Sequence, residues 1–286
     1  MKAKWEQTII GVGIIVMLLW SLTPIYWVVR TSLMTPRAVM NVPPEWFPYS
    51  PTRFNYLTTL GMSAMNAQGE LVPPSYFSSI LVNGLANSII VAGLVSVLTV
   101  LLATPMAYAF SRHTFPHKRK ILFTLVFTRA LPPVTIAVPY YRLYFQFALL
   151  GTRLGLIIVY LAATIPITAW ILIGFFSALP TDVEGAARVD GLGRFAMFRR
   201  VFVPMAAPSI AIASILAFLM AWNEYSLALI LTAGTPAMTL PVSLRSLGEI
   251  SQQSAALTLS LLPPLLVALG LQRYITRVRI IDPIAG

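Results

Sequence analysis

The stretch that decides the fold is EGAARVDGLGRFAMFRRVFVP, which runs from Glu184 to Pro204. It holds two acids, four arginines and three glycines, yet long apolar runs lie on both sides of it. Its first third predicts a short helix over 183–189, because small residues fill it and an acid stands in its first turn, where the helix dipole favours negative charge. Gly191 predicts the turn that ends this helix.

The rest of the stretch predicts a second helix on the inner face of the membrane. Its apolar residues recur at helical spacing, and its arginines are expected to reach lipid headgroups. Pro204 is expected to end this helix before the next apolar run. The apolar residues are Phe195, Phe198, Val201 and Phe202, and the arginines are Arg194, Arg199 and Arg200.

The composition of the whole chain is that of an integral membrane protein. Of its 286 residues, 57% are hydrophobic and 10% are charged, whereas soluble domains carry about 25% charged residues. The lack of cysteine excludes disulfides, thiolate metal sites and a cysteine nucleophile. The net charge of +11 fits either a nucleic-acid partner or anchoring at the inner leaflet, so charge placement decides between them.

Six stretches are long and apolar enough to cross the hydrocarbon core, which takes about 20 helical residues. They lack the alternation of barrel strands, so the chain is predicted to be an all-α, polytopic membrane protein with six transmembrane helices. The third stretch is interrupted by Arg129 and Arg142. The predicted spans are 8–29, 86–110, 121–148, 154–177, 206–231 and 255–272.

The distribution of lysine and arginine predicts the orientation. With the N-terminus inside, the inner connections hold 13 of these residues and the outer connections hold 5. This asymmetry places both termini and the stretch 184–204 in the cytoplasm. Since the basic residues lie at span ends without interleaved aromatic residues, no nucleic-acid partner is expected. The longest outer connection, about 31–74, is predicted to be a compact lid, so that residues 1–286 form one transmembrane domain.

The opening stretch resembles the cytoplasmic loop of ABC importer permeases. In that family the loop reads Glu-Ala-Ala, three residues, Gly, nine residues and Ile-x-Leu-Pro. Ala186, Ala187, Gly191 and Pro204 stand at the matching positions. Gly185 stands where the family has glutamate, and the acid stands one residue earlier as Glu184.

Further motifs resemble the carbohydrate-uptake branch of the family, the partners of maltose-type permeases. Their order covers the chain from the first span to about Arg273, and it implies the type I importer permease architecture. The motifs are PPEWFP at 43–48, Asn87-Ser88, AYAFSR at 107–112, LPP at 131–133 and AWNE at 221–224.

The resemblance implies a division of labour among subunits. This chain would pair with a second permease as a heterodimer, rest on two ATPase subunits and receive a sugar or polyol from an extracytoplasmic solute-binding protein. It would be a multi-pass protein of the cytoplasmic (inner) membrane, surrounded by lipid. The chain has no Gly-x-x-x-x-Gly-Lys-Ser/Thr loop, so it is expected to be non-catalytic and to bind no cofactor, with ATP and Mg bound by the ATPase.

The resemblance also assigns a role to the loop at about 178–204. The short helix would be the coupling helix, inserted into a cleft of an ATPase, so that closure of the ATPase dimer moves the spans. The residues of this loop that would contact or position the ATPase are Glu184, Gly185, Ala186, Ala187, Arg188, Asp190, Gly191 and Pro204.

A second candidate set lies inside the spans. Arg129 follows the inner basic cluster by about nine residues, hence on the order of 14 Å deep, where a charge normally faces protein or water. It either lines the path, contacts the second permease or only fixes helix packing. Glu224 either lines the path, caps a kink or faces the partner permease, and prolines can kink a helix without touching a ligand. The candidates for the translocation path or permease interface are Arg129, Pro132, Pro133, Asn223 and Glu224.

Three other functions stay open. The first is a permease of the same class for a non-carbohydrate solute. The second is a self-contained secondary transporter, which would show a two-fold repeat and more intramembrane carboxylates than Glu224 alone. The third is an intramembrane enzyme, which needs a nucleophile with a base, or metal ligands, in the spans. His113 and His117 lie in a cytoplasmic loop without a carboxylate, so no metal site and no catalytic residue is predicted.

Overall fold

A computed structural model describes residues 2–66, 68–74, 76–128, 132, 135–180 and 182–275. The chain forms two compact units. The first unit holds the chain up to residue 82 together with residues 243–262, and the second holds residues 83–242 and the chain from residue 263. Compact units can belong to one domain, so the single transmembrane domain stays a prediction.

The described residues are mostly helical, with one small hairpin. Strands β1 (Ala64–Met65) and β2 (Leu71–Val72) are antiparallel, and Ala64 pairs with Val72. A π-helical turn spans Phe198–Phe202, and a 3-10 turn spans Leu244–Ser246. In chain order the α-helices are α1 (Lys2–Ser32), α2 (Pro36–Val39), α3 (Phe54–Thr59), α4 (Tyr76–Arg112), α5 (Lys118–Phe127), α6 (Ala137–Gln146), α7 (Arg153–Ala178), α8 (Asp182–Val189), α9 (Arg194–Met197), α10 (Val203–Trp222), α11 (Ser226–Thr232), α12 (Leu240–Ser243), α13 (Ile250–Ser260) and α14 (Leu262–Ile275).

In the first unit, α13 packs against α1, α2 and α3. The end of α1 is buried there, whereas the apolar side chains of its first two thirds are exposed. Trp46 of the PPEWFP motif packs edge-on against Trp27 at 6.0 Å, and its carbonyl accepts a hydrogen bond from Tyr26. The outer connection is thus fixed to the end of α1 by its aromatic residues.

In the second unit, α7 contacts α5, α10 and α11, and α11 contacts α6. Its core combines alanines on α4 and α10 with large aromatic residues, and small residues let helices approach closely. Thr152 is the N-cap of α7, and its Oγ1 accepts from the amide of Gly155 at 3.0 Å. A Cβ on Gly155 would lie 2.4 Å from the carbonyl oxygen of Leu149, so only glycine fits this entry.

Five helices among the described residues are long and apolar enough to cross a membrane. The predicted third span is instead two helices of ten residues, α5 and α6. Each would be about 15 Å long, half of the roughly 30 Å hydrocarbon core. Prolines follow α5 in the sequence and cannot donate helix hydrogen bonds. Six uninterrupted transmembrane helices are therefore not confirmed. The five long helices are Gln7–Ser32, Tyr76–Arg112, Arg153–Ala178, Arg194–Trp222 and Ile250–Tyr274.

The predicted ends of the long helices differ in accuracy. The predicted span 154–177 matches α7 within one residue. The predicted span 206–231 is broken, because α10 ends at Trp222 and α11 begins at Ser226. The predicted span 255–272 covers α13 and α14, which meet at Leu261 just before two prolines.

Candidate functional site

The predicted coupling helix is α8, and it ends where the sequence predicted. Gly191 has a φ of +76°, in the left-handed region. Its amide donates to the carbonyl of Arg188 at 3.0 Å, and the amide of Leu192 donates to the carbonyl of Ala187 at 3.0 Å. These two bonds form a Schellman motif, in which a left-handed residue satisfies the last carbonyls of a helix.

α8 has one buried face and one exposed face. Ala187 is 4% exposed and belongs to the core of the second unit, so its side chain holds the helix to its own chain. Gly185 and Ala186 are exposed, and Val189 is 89% exposed. Beyond the turn, Phe195 is 75% exposed. Small and apolar residues therefore form the centre of the exposed surface of this loop.

Two charged residues of α8 pair with each other. Arg188 donates to Glu184, with 2.6 Å between Nη2 and Oε1. The Glu184 side chain is 21% exposed and that of Arg188 is 70% exposed. Asp190 follows the helix and is exposed. Glu184 thus has a partner within its own helix, and its contact with an ATPase stays a prediction.

Tyr108, near the end of α4, joins the coupling loop to the transmembrane helices. Its ring lies 6.0 Å from that of Phe176 on α7, 5.1 Å from that of Phe198 and 4.9 Å from that of Phe202. Its hydroxyl makes a long contact of 3.9 Å with the sulfur of Met197 on α9. The side chain of Tyr108 on α4 therefore contacts α7, α9 and the π-helical turn.

The predicted helix on the inner membrane face is wrong for three of its four apolar residues. Phe202 is 0% exposed, and Phe198 and Val201 pack against the same core. The π-helical turn explains the difference, since its wider turn changes the direction in which successive side chains point. Of the four, Phe195 alone is exposed.

Pro204 does not end that helix, contrary to the prediction. α9, the π-helical turn and α10 form one continuous helix, Arg194–Trp222. The amide of Val203 donates to the carbonyl of Phe198 in π-helical fashion. Pro204 lies in the first turn of α10, where the absence of a proline amide is tolerated.

Arg112 fixes the entry to the coupling loop. Its guanidinium donates to the carbonyl of Leu179 at 2.7 Å, and its Cζ lies 5.2 Å from the centre of the Phe202 ring. Leu179 is the residue at which α7 ends. Arginine near a helix C-terminus satisfies carbonyls that the helix leaves free.

Glu224 lies at the break between α10 and α11. Its Oε1 accepts from the amide of Leu227 at 2.9 Å, and its Oε2 accepts from the amide of Ala228 at 3.0 Å and from the hydroxyl of Tyr160 at 2.9 Å. The carboxylate therefore starts α11 and links it to α7. A cavity of about 100 Å³ lies beside it, and Thr164 is among its lining residues.

The other residues of the second candidate set are only partly described. Asn223 is exposed, and its amide group donates to the carbonyl of Leu219 at 2.9 Å. Pro132 is exposed. Arg129 and Pro133 lie outside the described residues, so their places in the path or at the permease interface stay predictions.

Asn87 organises the opposite end of the second unit. It is 0% exposed, and its amide group donates to the carbonyls of Pro236 at 2.8 Å and Met238 at 2.7 Å. Its Oδ1 accepts from Nε of Arg153 at 2.7 Å. The next residue, Ser88, accepts from the amide of Leu240 at 2.9 Å. The Asn87-Ser88 motif thus holds the connection that follows α11.

Sequence reasoning missed Val189 and Tyr108, and it assigned Phe195 to the inner membrane face. Tyr108 stood inside the AYAFSR motif, so a signal for it existed. The exposure of Val189 and Phe195 had no such signal, because apolar residues near a membrane are expected to be covered.

Comparison with known proteins gives the family. Residues 96–279 match the model of the family described as binding-protein-dependent transport system inner membrane component. The sulfoquinovosyl glycerol transport system permease protein SmoH of Agrobacterium fabrum is 34% identical over 253 residues, which cover 87% of this chain and 83% of that protein. The trehalose/maltose transport system permease protein MalG of Thermococcus litoralis is 29% identical over 276 residues, 94% of each chain.

A solved structure has the same fold. It is the crystal structure of a bacterial ABC transporter involved in the import of the acidic polysaccharide alginate, and one of its chains aligns with a TM-score of 0.73 and 21% identity. The alignment covers 95% of this chain and 96% of that chain. The chain described here belongs to the family of binding-protein-dependent transport system inner membrane components, and it is a multi-pass permease of the ABC importer class.

Proposed function

We propose that this chain, together with a second permease subunit, forms the translocation path of an ATP-driven importer for a sugar or polyol. A solute-binding protein would deliver the substrate, and two ATPase subunits would bind ATP and Mg and supply the energy. Relatives named for the transport of sulfoquinovosyl glycerol and of trehalose and maltose support the carbohydrate class. Both termini would lie in the cytoplasm, as the positive-inside pattern predicts.

The observation that carries the proposal is the outward face of the coupling loop. Val189 and Phe195 are 89% and 75% exposed in a segment that also exposes several charged residues. Exposed apolar residues rimmed by charge are typical of protein interfaces. On the other face, Ala187 is buried in the core. A partner that holds the exposed face would therefore pull on the second unit through packed side chains.

Helix α1 of this chain offers a surface on which the second permease could pack. This helix is apolar, and Trp20 near its middle is 83% exposed. In the membrane that surface must contact lipid or another subunit. Contact with the second permease would give the heterodimer.

The break at Asn223 and Glu224 is the best supported part of the path. Helices that break within a membrane free backbone groups, and these are tolerated where they line a cavity. Asn223 is exposed at that point while Glu224 is held inward. Arg129, Pro132 and Pro133 are the further candidates for the path or the permease interface.

The test is co-purification followed by uptake. We expect the tagged chain to bring down a second permease and an ATPase, and proteoliposomes with the binding protein to take up maltose or trehalose in an ATP-dependent manner. Val189→Asp should release the ATPase. Val42→Asp is the matched control, because Val42 is 93% exposed in the outer connection. A chain that transports solute alone, without an ATPase, would overturn the proposal.

A further inference from the structure

A cavity of about 380 Å³ lies in the outer connection of the first unit. It opens between α2, α3 and the β1–β2 hairpin, and its lining residues include Arg37, Phe54, Asn55 and Gln68. Small-molecule sites commonly measure about 300 to 1,000 Å³ and combine apolar surface with a few polar groups. This cavity belongs entirely to the segment that the charge pattern predicts to face the outside.

The polar groups of the cavity are mainly hydrogen-bond donors. Thr35 and Thr52 use their hydroxyl oxygens to accept from the amides of Ala38 at 3.4 Å and Phe54 at 3.1 Å, so their hydroxyl hydrogens remain to be donated. The Arg37 guanidinium is exposed and has no ion pair or hydrogen bond within the described part of the chain.

Asn55 gives a second, independent indication. It is 1% exposed, and its amide group donates to the carbonyls of Ser32 and Met34, both at 2.8 Å. Its Oδ1 has no hydrogen-bond partner among the described residues. Buried acceptors are normally satisfied. Because this oxygen has almost no accessible surface, a ligand hydroxyl would reach it after a small rearrangement of the cavity wall.

The neighbouring carboxylate is already engaged. Asn66, which lines the cavity, donates from Nδ2 to Oε2 of Glu70 at 3.0 Å, and Glu70 is not one of the lining residues. The positive charge of Arg37 is therefore not neutralised by a lining acid. A ligand that accepts several hydrogen bonds and carries a negative charge matches this lining.

We propose that this cavity binds a small polyhydroxylated solute that carries an oxyanion, such as a sugar acid. Arg37 would bind the oxyanion, Thr35, Thr52 and Gln68 would bind ring oxygens and hydroxyls, and a ligand hydroxyl would donate to Asn55. Phe54 would supply apolar surface for the ring.

The test is calorimetric titration of the full chain in lipid nanodiscs with D-glucuronate, and with D-glucose as the neutral probe. We expect glucuronate to bind at least about tenfold more tightly than glucose, and Arg37→Gln to raise the Kd for glucuronate at least about tenfold. Arg37→Lys keeps the charge but loses the forked geometry of the guanidinium, so its Kd for glucuronate should lie between those of the unmodified chain and Arg37→Gln. Arg53→Gln, at another exposed arginine of the same segment, should change the Kd by less than about twofold.

Each other result overturns the proposal. No binding of glucuronate to the unmodified chain at about 10 mM, equal binding of both probes, or equal losses in Arg37→Gln and Arg53→Gln would do so. These binding measurements need no ATPase or binding protein, so their failure would leave the transport function untouched.

Discussion

Arg188 and Glu184 form an ion pair across one turn of α8, the predicted coupling helix, with 2.6 Å between Nη2 and Oε1. A pair at this spacing is worth about 0.3 to 0.5 kcal/mol. Truncating a buried charged partner in an interface costs about 2 to 5 kcal/mol. The size of the effect therefore separates a contact with the ATPase from a pair that only supports the helix.

We expect Glu184→Gln to raise the Kd for the ATPase at least about 30-fold, and Arg188→Gln, which breaks the same pair but keeps the acid, less than about threefold. Surface-immobilised permease titrated with ATPase gives both values. Glu184→Ala with Gly185→Glu tests the register, since a Cβ at Gly185 meets no atom within 4 Å. Equal effects of the two single variants would show that Glu184 only supports α8.

Gly191 tests the turn after the coupling helix. Its φ is +76°, and a Cβ there would meet nothing within 4 Å, so a substitution strains the backbone without a clash. Gly191→Val should lower uptake and substrate-stimulated ATP hydrolysis, because a left-handed conformation costs non-glycine residues about 1 to 2 kcal/mol and β-branched residues most. Gly191→Asn should retain more of both, since asparagine tolerates this conformation. Normal uptake by well-expressed Gly191→Val would contradict the role of the turn.

Substitutions of Tyr108 test whether this residue connects the predicted coupling loop to the transmembrane helices. Tyr108→Ala should destabilise the second unit by about 3 to 5 kcal/mol, as truncation of large core aromatics does. Tyr108→Phe should be nearly neutral, because the hydroxyl makes one 3.9 Å contact with sulfur. Thermal unfolding of the purified importer measures stability, and the ratio of uptake to ATP hydrolysis measures coupling. Full coupling in Tyr108→Ala would exclude Tyr108 as the connection.

Glu224 tests the helix break. In Glu224→Gln one carboxylate oxygen becomes an NH2 group that cannot accept from the amides of Leu227 or Ala228, so α11 should lose part of its start. We expect faster hydrogen exchange over 226–232 and at least about tenfold lower uptake. Tyr160→Phe removes a single donor and should have the smaller effect on both. Unchanged exchange in Glu224→Gln would argue against this role.

Arg129 tests the path inside the predicted third span. Arg129→Leu should reduce uptake or recovery of the heterodimer even though it makes the segment more apolar. A charge inside the membrane normally faces protein or water, and the leucine would lose that contact. Arg129→Lys should keep part of the function, since the charge remains but the forked geometry is lost. If Arg129→Leu takes up as much substrate as the unmodified protein, the arginine side chain only extends to the lipid headgroups.

The features that sequence could predict are those with a local cause. α7 was predicted within one residue because its apolar run is long and is not interrupted by a charged residue. The turn at Gly191 was predicted because a left-handed residue after a helix favours glycine. The family pattern placed α8 for the same reason, since its residues and their spacing are contiguous.

The features that sequence could not predict depend on distant contacts. The π-helical turn has ordinary residues, and packing on Tyr108 accompanies it. The apolar spacing of Phe198, Val201 and Phe202 fitted a lipid-facing helix as well as a core-facing one, since both environments are apolar. Proline signalled interruptions in the spans, and capping of a kink was one of the roles that the sequence left open for Glu224. Its bond to Tyr160 on α7 could not be predicted, because that contact joins residues 64 positions apart.

The continuous helix from Arg194 to Trp222 has a mechanical consequence. Its 29 residues would extend about 44 Å at 1.5 Å per residue, from the turn after the coupling helix to the break at Asn223. In the proposed importer, this single helix would connect the predicted coupling loop to the predicted translocation path, so a displacement of its first turns would reach the groups at Asn223. The π-helical turn at Phe198–Phe202 lies near the end that the partner would move. Bending would be easiest there, and the rest of the helix would then tilt as one body.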